Sequence, residues 1–120
     1  MLKRTYLSQD LETYEDWAVI KKGIAELGPE VAAFDTETTG LHIILDKPFI
    51  FQFGFLHPTD TTKGYTFLVD FRDNPSAKQI IKEWHDIVKN SKLYLGHNIK
   101  FDLHMLKNIG IEYRTENMSD

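Results

Sequence analysis

Three stretches of the chain are predicted to form helices, and the first two carry apolar residues at the 3.6-residue spacing of an amphipathic helix. The first is predicted to begin after Thr13, whose hydroxyl can cap the helix, and to end at Gly28-Pro29. The second is predicted to begin at Asn74-Pro75-Ser76, with proline in its first turn, and to end near Asn90. The third runs from about Asn98 to Asn108. Each apolar stripe predicts a helix that covers a sheet, and the two tryptophans on them, Trp17 and Trp84, are expected in the core.

Aromatic and β-branched runs predict the strands of that sheet. The predicted strands are Val31 to Thr36, Phe49 to Leu56, Tyr65 to Phe71 and Leu93 to Leu95, with a short final strand after Gly110 and a strand or extended arm at residues 4–7. The first helix is thus followed by the order βββαβαβ. This order predicts an α/β fold with a mixed sheet, in which a three-strand meander precedes the αβαβ part.

Two acids stand at the end of the first apolar strand. Side chains alternate along a strand, so Asp35 and Glu37 are predicted to share one face while Thr36 points to the other. An acid at the carboxyl end of a buried strand commonly faces a ligand crevice. The alternative is an ordinary strand end, because acids before Thr-Thr-Gly are also common in turns.

A third acid can join this pair from the last predicted helix. Residues four apart lie on one side of a helix, so Asn98 and Asp102 share a stripe that packing would bring toward the strand end. Three converging carboxylates need protons or hard cations to neutralise them, which predicts a divalent metal. The alternatives are that Asp102 is a solvated residue paired with Lys100 or Lys107, and that Asn98 serves as a helix cap, a role compatible with substrate contact.

These two stretches also resemble known motifs. Residues Val31 to Leu41, which contain Phe34-Asp35-Thr36-Glu37, resemble the first motif of the DEDD 3′–5′ exonucleases, and Asn98-Ile99-Lys100-Phe101-Asp102 resembles the second. The nearest variant is the proofreading domain of bacterial and phage family A DNA polymerases. There too the second motif precedes a Gly-Ile-Glu segment, here Gly110-Ile111-Glu112, and then an aspartate, which Asp120 would be. The resemblance covers roughly residues 14 to 120 and implies a ribonuclease H-like (DnaQ-like) fold.

The resemblance implies a function and a cofactor. The expected reaction is two-metal hydrolysis of the last phosphodiester at a DNA 3′ end, with Mg²⁺ or Mn²⁺ as the ions. Asp35 would bridge both ions, Glu37 would hold one, and Asp102 would be the third metal-binding acid of this chain. Single-stranded DNA or a frayed 3′ end would be the substrate, and a polymerase domain could follow in a longer parent protein. The residues expected to contact the terminal nucleotide are Thr38, Gly40, Leu41 and Asn98.

The third motif of the family is missing from the sequence. It consists of Tyr or His followed four positions later by Asp, and nothing after Asp102 has this spacing. The spacing occurs at Tyr6 and Asp10 and at His42 and Asp46, but in the wrong order and context. Residues 1–120 are therefore expected to form a single, incomplete exonuclease domain that is truncated at its C-terminus and weak or inactive alone. The alternatives are a non-catalytic nucleic-acid-binding or protein-interaction module with this fold, and a DEDD exonuclease that trims RNA.

The composition and net charge of the chain argue against several classes of protein. The net charge of −4 argues against a general nucleic-acid binder that relies on a basic face. The chain has no cysteine, no apolar run near the ~20 residues of a membrane helix and no signal peptide, so a cytoplasmic location is expected. A zinc site is not favoured, because the five histidines form no known ligand grouping. His97 is expected beside the crevice, and the surface or loop histidines are expected to be His42, His57 and His85.

Overall fold

The computed structural model describes residues 5–38, 48–72, 74–96, 98–112, 114 and 116–119. The described elements are β1 (Thr5–Asp10), α1 (Tyr14–Leu27), β2 (Val31–Thr38), β3 (Pro48–Leu56), β4 (Lys63–Asp70), α2 (Ala77–Val88), β5 (Leu93–Gly96), α3 (Ile99–Lys107) and β6 (Met118–Ser119). The predicted order of helices and strands is confirmed, and residues 5–7 of the predicted strand or arm lie in strand β1. None of these three helices has the length and apolar content that a membrane span requires.

All six strands join one mixed sheet in the order β1-β4-β3-β2-β5-β6. Strands β2, β3 and β4 pair antiparallel, which confirms the meander, while β5 pairs with β2 in parallel. Strand β2 therefore has a hydrogen-bonded neighbour on each side. A parallel neighbour requires a crossover, and α2 supplies it.

Helix α1 shows why the local sequence signals were reliable. The Thr13 hydroxyl accepts a hydrogen bond from the backbone N–H of Asp16, and the Asp16 carboxylate accepts one from the backbone N–H of Thr13. This reciprocal capping box satisfies two donors that the first turn would otherwise leave unpaired. Gly28 ends the helix in the left-handed region at φ 70°, where a side chain would be strained.

The core lies between the helices and one face of the sheet. Phe53 of β3 is at its centre, with ring centroids 5.9 Å from Trp17 of α1 and 4.5 Å from Trp84 of α2. Both tryptophans are fully buried, as predicted. The Trp84 indole also donates a hydrogen bond of 3.0 Å to the Tyr94 hydroxyl, so the buried polar group has a partner.

His85 contradicts the prediction that it is a surface or loop residue. It is fully buried in α2, and its ring lies 5.9 Å from Phe51 and 5.7 Å from Tyr94 between centroids. Burial lowers the pKa of the His85 imidazole to about 3, because the charged form would lose its hydration. His85 follows buried Ile81 by four positions, so the helical spacing places it on the apolar face although its type suggested the surface.

Two element boundaries also differ from the prediction. Pro75 precedes α2 and does not lie in its first turn. The final strand is β6, several residues beyond Gly110, where the backbone is anchored beside β5. The Asn117 side chain provides this anchor by donating hydrogen bonds to the carbonyl oxygens of Ser91, at 2.6 Å, and Val88, at 3.1 Å.

The second face of the sheet is much more accessible than the first. On β2, Ala33 is exposed, whereas its neighbours Ala32 and Phe34 are buried on the helix side. Leu56 and Leu95 are only half-buried and line a shallow groove on this open face. All three described helices contribute to the core on the opposite side. The open face therefore combines apolar side chains with access from solvent.

Gly96 is expected to be intolerant of a side chain because α3 begins directly against β5. A Cβ atom there would lie 2.5 Å from Ile99 Cγ1, and 3.4 Å from Phe34. We expect Gly96→Ala to lower the free energy of unfolding by about 1–3 kcal/mol, measured by urea denaturation. Gly23→Ala is the control, because a Cβ on Gly23 meets nothing within 4 Å and alanine favours the helix. Equal stabilities of the Gly96 variant and the wild-type chain would contradict this packing.

Candidate active site

Asp35 and Glu37 lie near the carboxyl end of β2, and both side chains are exposed on the open side of the sheet. Strand β2 is paired on both edges over residues 32–34, and the backbone of the two acids continues from there with pairing to β3. Asp35 Oδ1 accepts a hydrogen bond of 2.9 Å from the backbone N–H of Thr36. The ladder with β3 shifts between Glu37 and Thr38, so regular pairing ends where the acids end. Asp35 and Glu37 are both exposed and Thr36 between them is buried, so the two acids share one face of the strand, as predicted.

Asp102 is held by a different contact. Its carboxylate is buried in the first turn of α3, and Oδ1 accepts a hydrogen bond of 2.6 Å from the Thr36 hydroxyl. The alternative that Asp102 is a solvated residue paired with a lysine is therefore wrong. The backbone N–H of Asp102 donates to the Asn98 carbonyl, and a carboxylate in a first turn is favourably placed in the helix dipole.

The strand separates the three acids into two groups. Thr36 points to the helix side, so the Asp102 carboxyl that it binds lies on that side, whereas Asp35 and Glu37 face the open side. Across the described ranges, no three acidic or histidine side chains are close enough together to hold a metal ion. The exposed pair has the hard oxygen donors that suit Mg²⁺ or Mn²⁺, but the set of three does not converge in this structure.

The other predicted site residues are only partly described. Asn98 occupies the N-cap position of α3, but its side chain is exposed and makes no capping hydrogen bond. Thr38 is the last residue of β2, and its side chain is not described. The predicted contacts at Gly40 and Leu41 lie outside the described residues. The same holds for four further residues of the sequence analysis, which are His42, Asp46, His97 and Asp120.

Comparison with known proteins supplies the family. Residues 8–120 match the family model of the 3′–5′ exonucleases. The chain belongs to this 3′–5′ exonuclease family. DNA polymerase DpoZ of Salmonella phage PMBT28 is 36% identical over 84 residues, which are 69% of this chain and 12% of that protein. The chain thus spans a small part of the length of its polymerase relative.

Solved structures agree on the fold of the exonuclease-family chain. The EXO domain of Aedes aegypti Nibbler matches with a TM-score of 0.62 and 12% identity, over 94% of this chain and 52% of that one. Escherichia coli RNase D matches with a TM-score of 0.63 and 15% identity, over 95% and 27%. The fold is the mixed α/β, ribonuclease H-like fold of DEDD exonucleases, as the resemblance implied. Exonucleases of this family typically use divalent metal ions.

Two features near the site were missed in the sequence. Thr36 was assigned only to the opposite face, and no sequence signal showed that its hydroxyl would bind Asp102. The second feature is a row of exposed basic side chains on the outer side of α3, formed by Lys100, His104 and Lys107. Their spacing of four and then three residues is visible in the sequence and could have identified a common helical face.

The buried contact between Thr36 and Asp102 predicts a strong energetic coupling. We expect Thr36→Val to lower the free energy of unfolding by about 1–3 kcal/mol, because the carboxylate loses a buried donor. Once Asp102→Leu has removed the carboxylate, adding Thr36→Val should cost much less. Urea denaturation of the wild-type chain, both single variants and the double variant measures this coupling. Additive effects of the two substitutions would contradict it.

Proposed function

We propose that this chain is part of a 3′–5′ exonuclease that removes nucleotides from DNA 3′ ends by metal-dependent phosphodiester hydrolysis. The observation that carries the proposal is the exposed pair of acids, Asp35 and Glu37, at the carboxyl end of a central strand in a chain of this family. A crevice at the carboxyl end of sheet strands is a common place for a ligand in α/β folds. Residues 1–120 are proposed to form one incomplete domain, because the described strands join a single sheet.

We assign Asp35, Glu37 and Asp102 as the metal-binding and catalytic residues of this proposal. Asp35 and Glu37 offer carboxylate oxygens to Mg²⁺ or Mn²⁺, with two ions expected in a complete site. When bound, the ions supply an activated water and stabilise the charge that develops on the leaving oxygen. Thr36 fixes the Asp102 carboxyl on the other side of β2 by its hydrogen bond. The three acids do not form a metal-binding group among the described residues, so their convergence around bound ions is part of this proposal.

The substrate contacts in the proposal come from both motifs. The Asn98 side chain is exposed at the start of α3 and is free of a capping bond, so it can donate to the substrate backbone. The proposed contacts to the terminal nucleotide from the first motif are Thr38, Gly40 and Leu41. Single-stranded or frayed ends are the proposed substrate, because they present a base without the cost of melting a duplex.

DNA is favoured over RNA by the polymerase relative. DpoZ is a DNA polymerase, and a polymerase domain in a longer parent protein is part of the proposal. RNase D, described as an exoribonuclease involved in structured RNA processing, shares the fold at 15% identity. The fold alone is therefore compatible with either nucleic acid, and the choice of DNA rests on the 36% identity to the polymerase.

The activity of the 120-residue chain is expected to be weak. No Tyr or His followed four positions later by Asp occurs after Asp102, so the fourth acid of the family pattern is missing. Without it, metal binding and the positioning of water are expected to suffer, and misplacement of a reacting group by about 1 Å can already cost about 100-fold in rate.

The direct test uses 5′-labelled single strands of DNA and RNA with matched sequence. With Mg²⁺ or Mn²⁺, we expect slow shortening of the DNA from its 3′ end, and no shortening in EDTA. Shortening from the 5′ end, shortening in EDTA, or no shortening at high protein concentration would contradict the proposal. Preference for the RNA strand would instead favour an RNA-trimming exonuclease.

A second candidate function is a non-catalytic interaction module. The open face of the sheet favours it, because half-buried Leu56 and Leu95 lie there beside exposed Ala33. Accessible apolar patches are typical of interfaces. Concentration-dependent self-association in sedimentation experiments, without metal-dependent digestion, would favour this candidate. A monomer at high concentration with no affinity for oligonucleotides would contradict it.

A further inference from the structure

We propose that the outer side of α3 binds the phosphate backbone of single-stranded nucleic acid. The α3 basic face consists of Lys100, His104 and Lys107, together with the neighbouring Arg114. The choice of nucleic acid as ligand rests on the proposed function, but the surface is separate from the acids that this function assigns. It would hold the strand by charge and not take part in the reaction.

The two sides of α3 have opposite character. Ile99, Asp102 and Leu106 are buried on the inner side, toward β2 and β5. The basic residues are exposed and lie about half a turn away from Asp102 around the helix, at 100° per residue. The inner side therefore belongs to the core and the site, while the outer side is accessible to a partner.

The spacing of the basic side chains suits an extended polyanion. With a rise of about 1.5 Å per residue, Lys100 and His104 are offset by roughly 6 Å along the helix axis, and Lys107 by roughly 4.5 Å more. They form a row along the helix rather than a compact pocket for one anion. These side chains line a surface groove together with Arg114. Half-buried Leu103 lies in the same groove and provides an apolar contact surface.

The groove carries an excess of positive charge in a chain whose net charge is −4. Glu112 is its acidic member, and its carboxylate lies 3.9 Å from Lys107 Nζ. Both side chains are more than 60% exposed, so this ion pair contributes little and can be replaced by a phosphate contact. The net charge of the whole chain gave no sign of the α3 basic face, because acids elsewhere in the chain outnumber its basic side chains.

The α3 basic face begins at Lys100, two residues after the proposed substrate contact Asn98. Helix α3 has nine residues and is about 13.5 Å long. Exposed Asn98 is its N-cap residue and buried Asp102 lies in its first turn, so the basic side chains lie within one short helix of the proposed substrate contact. A strand whose end contacts Asn98 could therefore place its preceding phosphates along the same helix.

The experiment measures anisotropy of a fluorescent oligothymidine in EDTA over a series of salt concentrations. EDTA removes any binding through metal ions, so only direct contacts remain. We expect the double variant Lys100→Gln/Lys107→Gln to bind several-fold more weakly than the wild-type chain at low salt. The slope of log affinity against log salt should fall by about 1.4, since each lost phosphate contact contributes about 0.7 for single strands.

The control is Lys22→Gln/Lys82→Gln, which makes the same charge change on exposed positions of α1 and α2. Its affinity and salt slope should stay close to wild type, and circular dichroism checks that both double variants are folded. Equal losses in the two variants, or no loss in either, would overturn the inference. Equally tight binding of polyglutamate would also overturn it, because it would indicate an acidic protein partner. If the wild-type chain bound the oligonucleotide as expected but did not shorten DNA in the presence of Mg²⁺ or Mn²⁺, the result would count against the proposed function and not against this inference.

Discussion

Asp35→Asn is expected to lower the rate of Mg²⁺-dependent 3′ shortening to about one hundredth or less of the wild-type rate. Asparagine keeps the shape of the side chain and one oxygen, but it removes the negative charge that a hard cation requires. Asp35 is exposed on β2, so the substitution should leave the core intact. Release of nucleotides from a labelled DNA strand at saturating Mg²⁺ measures the effect, with a denaturation curve to confirm that stability is unchanged.

The matched control for this prediction is Asp86→Asn. Asp86 is also exposed, lies on α2, and undergoes the same change in charge and shape. Its rate should stay within about twofold of wild type, since a distant surface acid contributes little to a metal site. If Asp35→Asn retained the wild-type rate, Asp35 would have no catalytic role. Equal losses in both variants would attribute the effect to net charge and not to the site.

Acidification from pH 7 to pH 4 is expected to lower the free energy of unfolding by several kcal/mol through His85. Burial lowers the pKa of His85 to about 3 in the folded chain, against 6.5 for the free side chain. Between these values the unfolded chain binds a proton that the folded chain does not, so stability falls as the pH falls. The contribution is fully present above about pH 6.5 and decreases by about 1 kcal/mol per pH unit below it.

Urea denaturation of His85→Leu isolates this effect from the carboxylates that also titrate in acid. Leucine has no site for the proton, so the pH dependence of stability should be distinctly shallower than in wild type. His104→Gln, at an exposed position of α3, is the control and should keep the wild-type dependence. Parallel pH profiles for the wild-type chain and His85→Leu would contradict the burial of a neutral imidazole.

Regular elements could be predicted because their signals are local. The capping box at Thr13 predicted the start of α1, and Gly28 predicted its end. Aromatic runs separated by turn formers predicted β3 and β4. The position of β6 was missed because it depends on Asn117 reaching Val88 and Ser91, which no local pattern contains. His85 was missed because residue type was given more weight than its helical position.

In the candidate site, too, the features set by local sequence could be predicted, and those set by packing could not. Strand alternation was sufficient to place Asp35 and Glu37 on one face, because successive side chains of a strand point to opposite sides. The relation of Asp102 to them depends on which face of the sheet α3 packs against. Its carboxyl meets Thr36 on the helix side, so the prediction of three converging acids does not hold in this structure. The motif residues still support the proposed function, although the metal site remains a prediction.

The sequence by itself determined the order of the elements and the family, and it singled out the candidate acids, because capping residues, periodicity and short motifs act over a few residues. Tertiary structure alone decided three other features. It placed Asp102 against Thr36, left one face of the sheet accessible, and anchored β6 beside β5 through Asn117. Each of these depends on the packing of segments that are distant in sequence, and neither spacing nor composition specifies such packing.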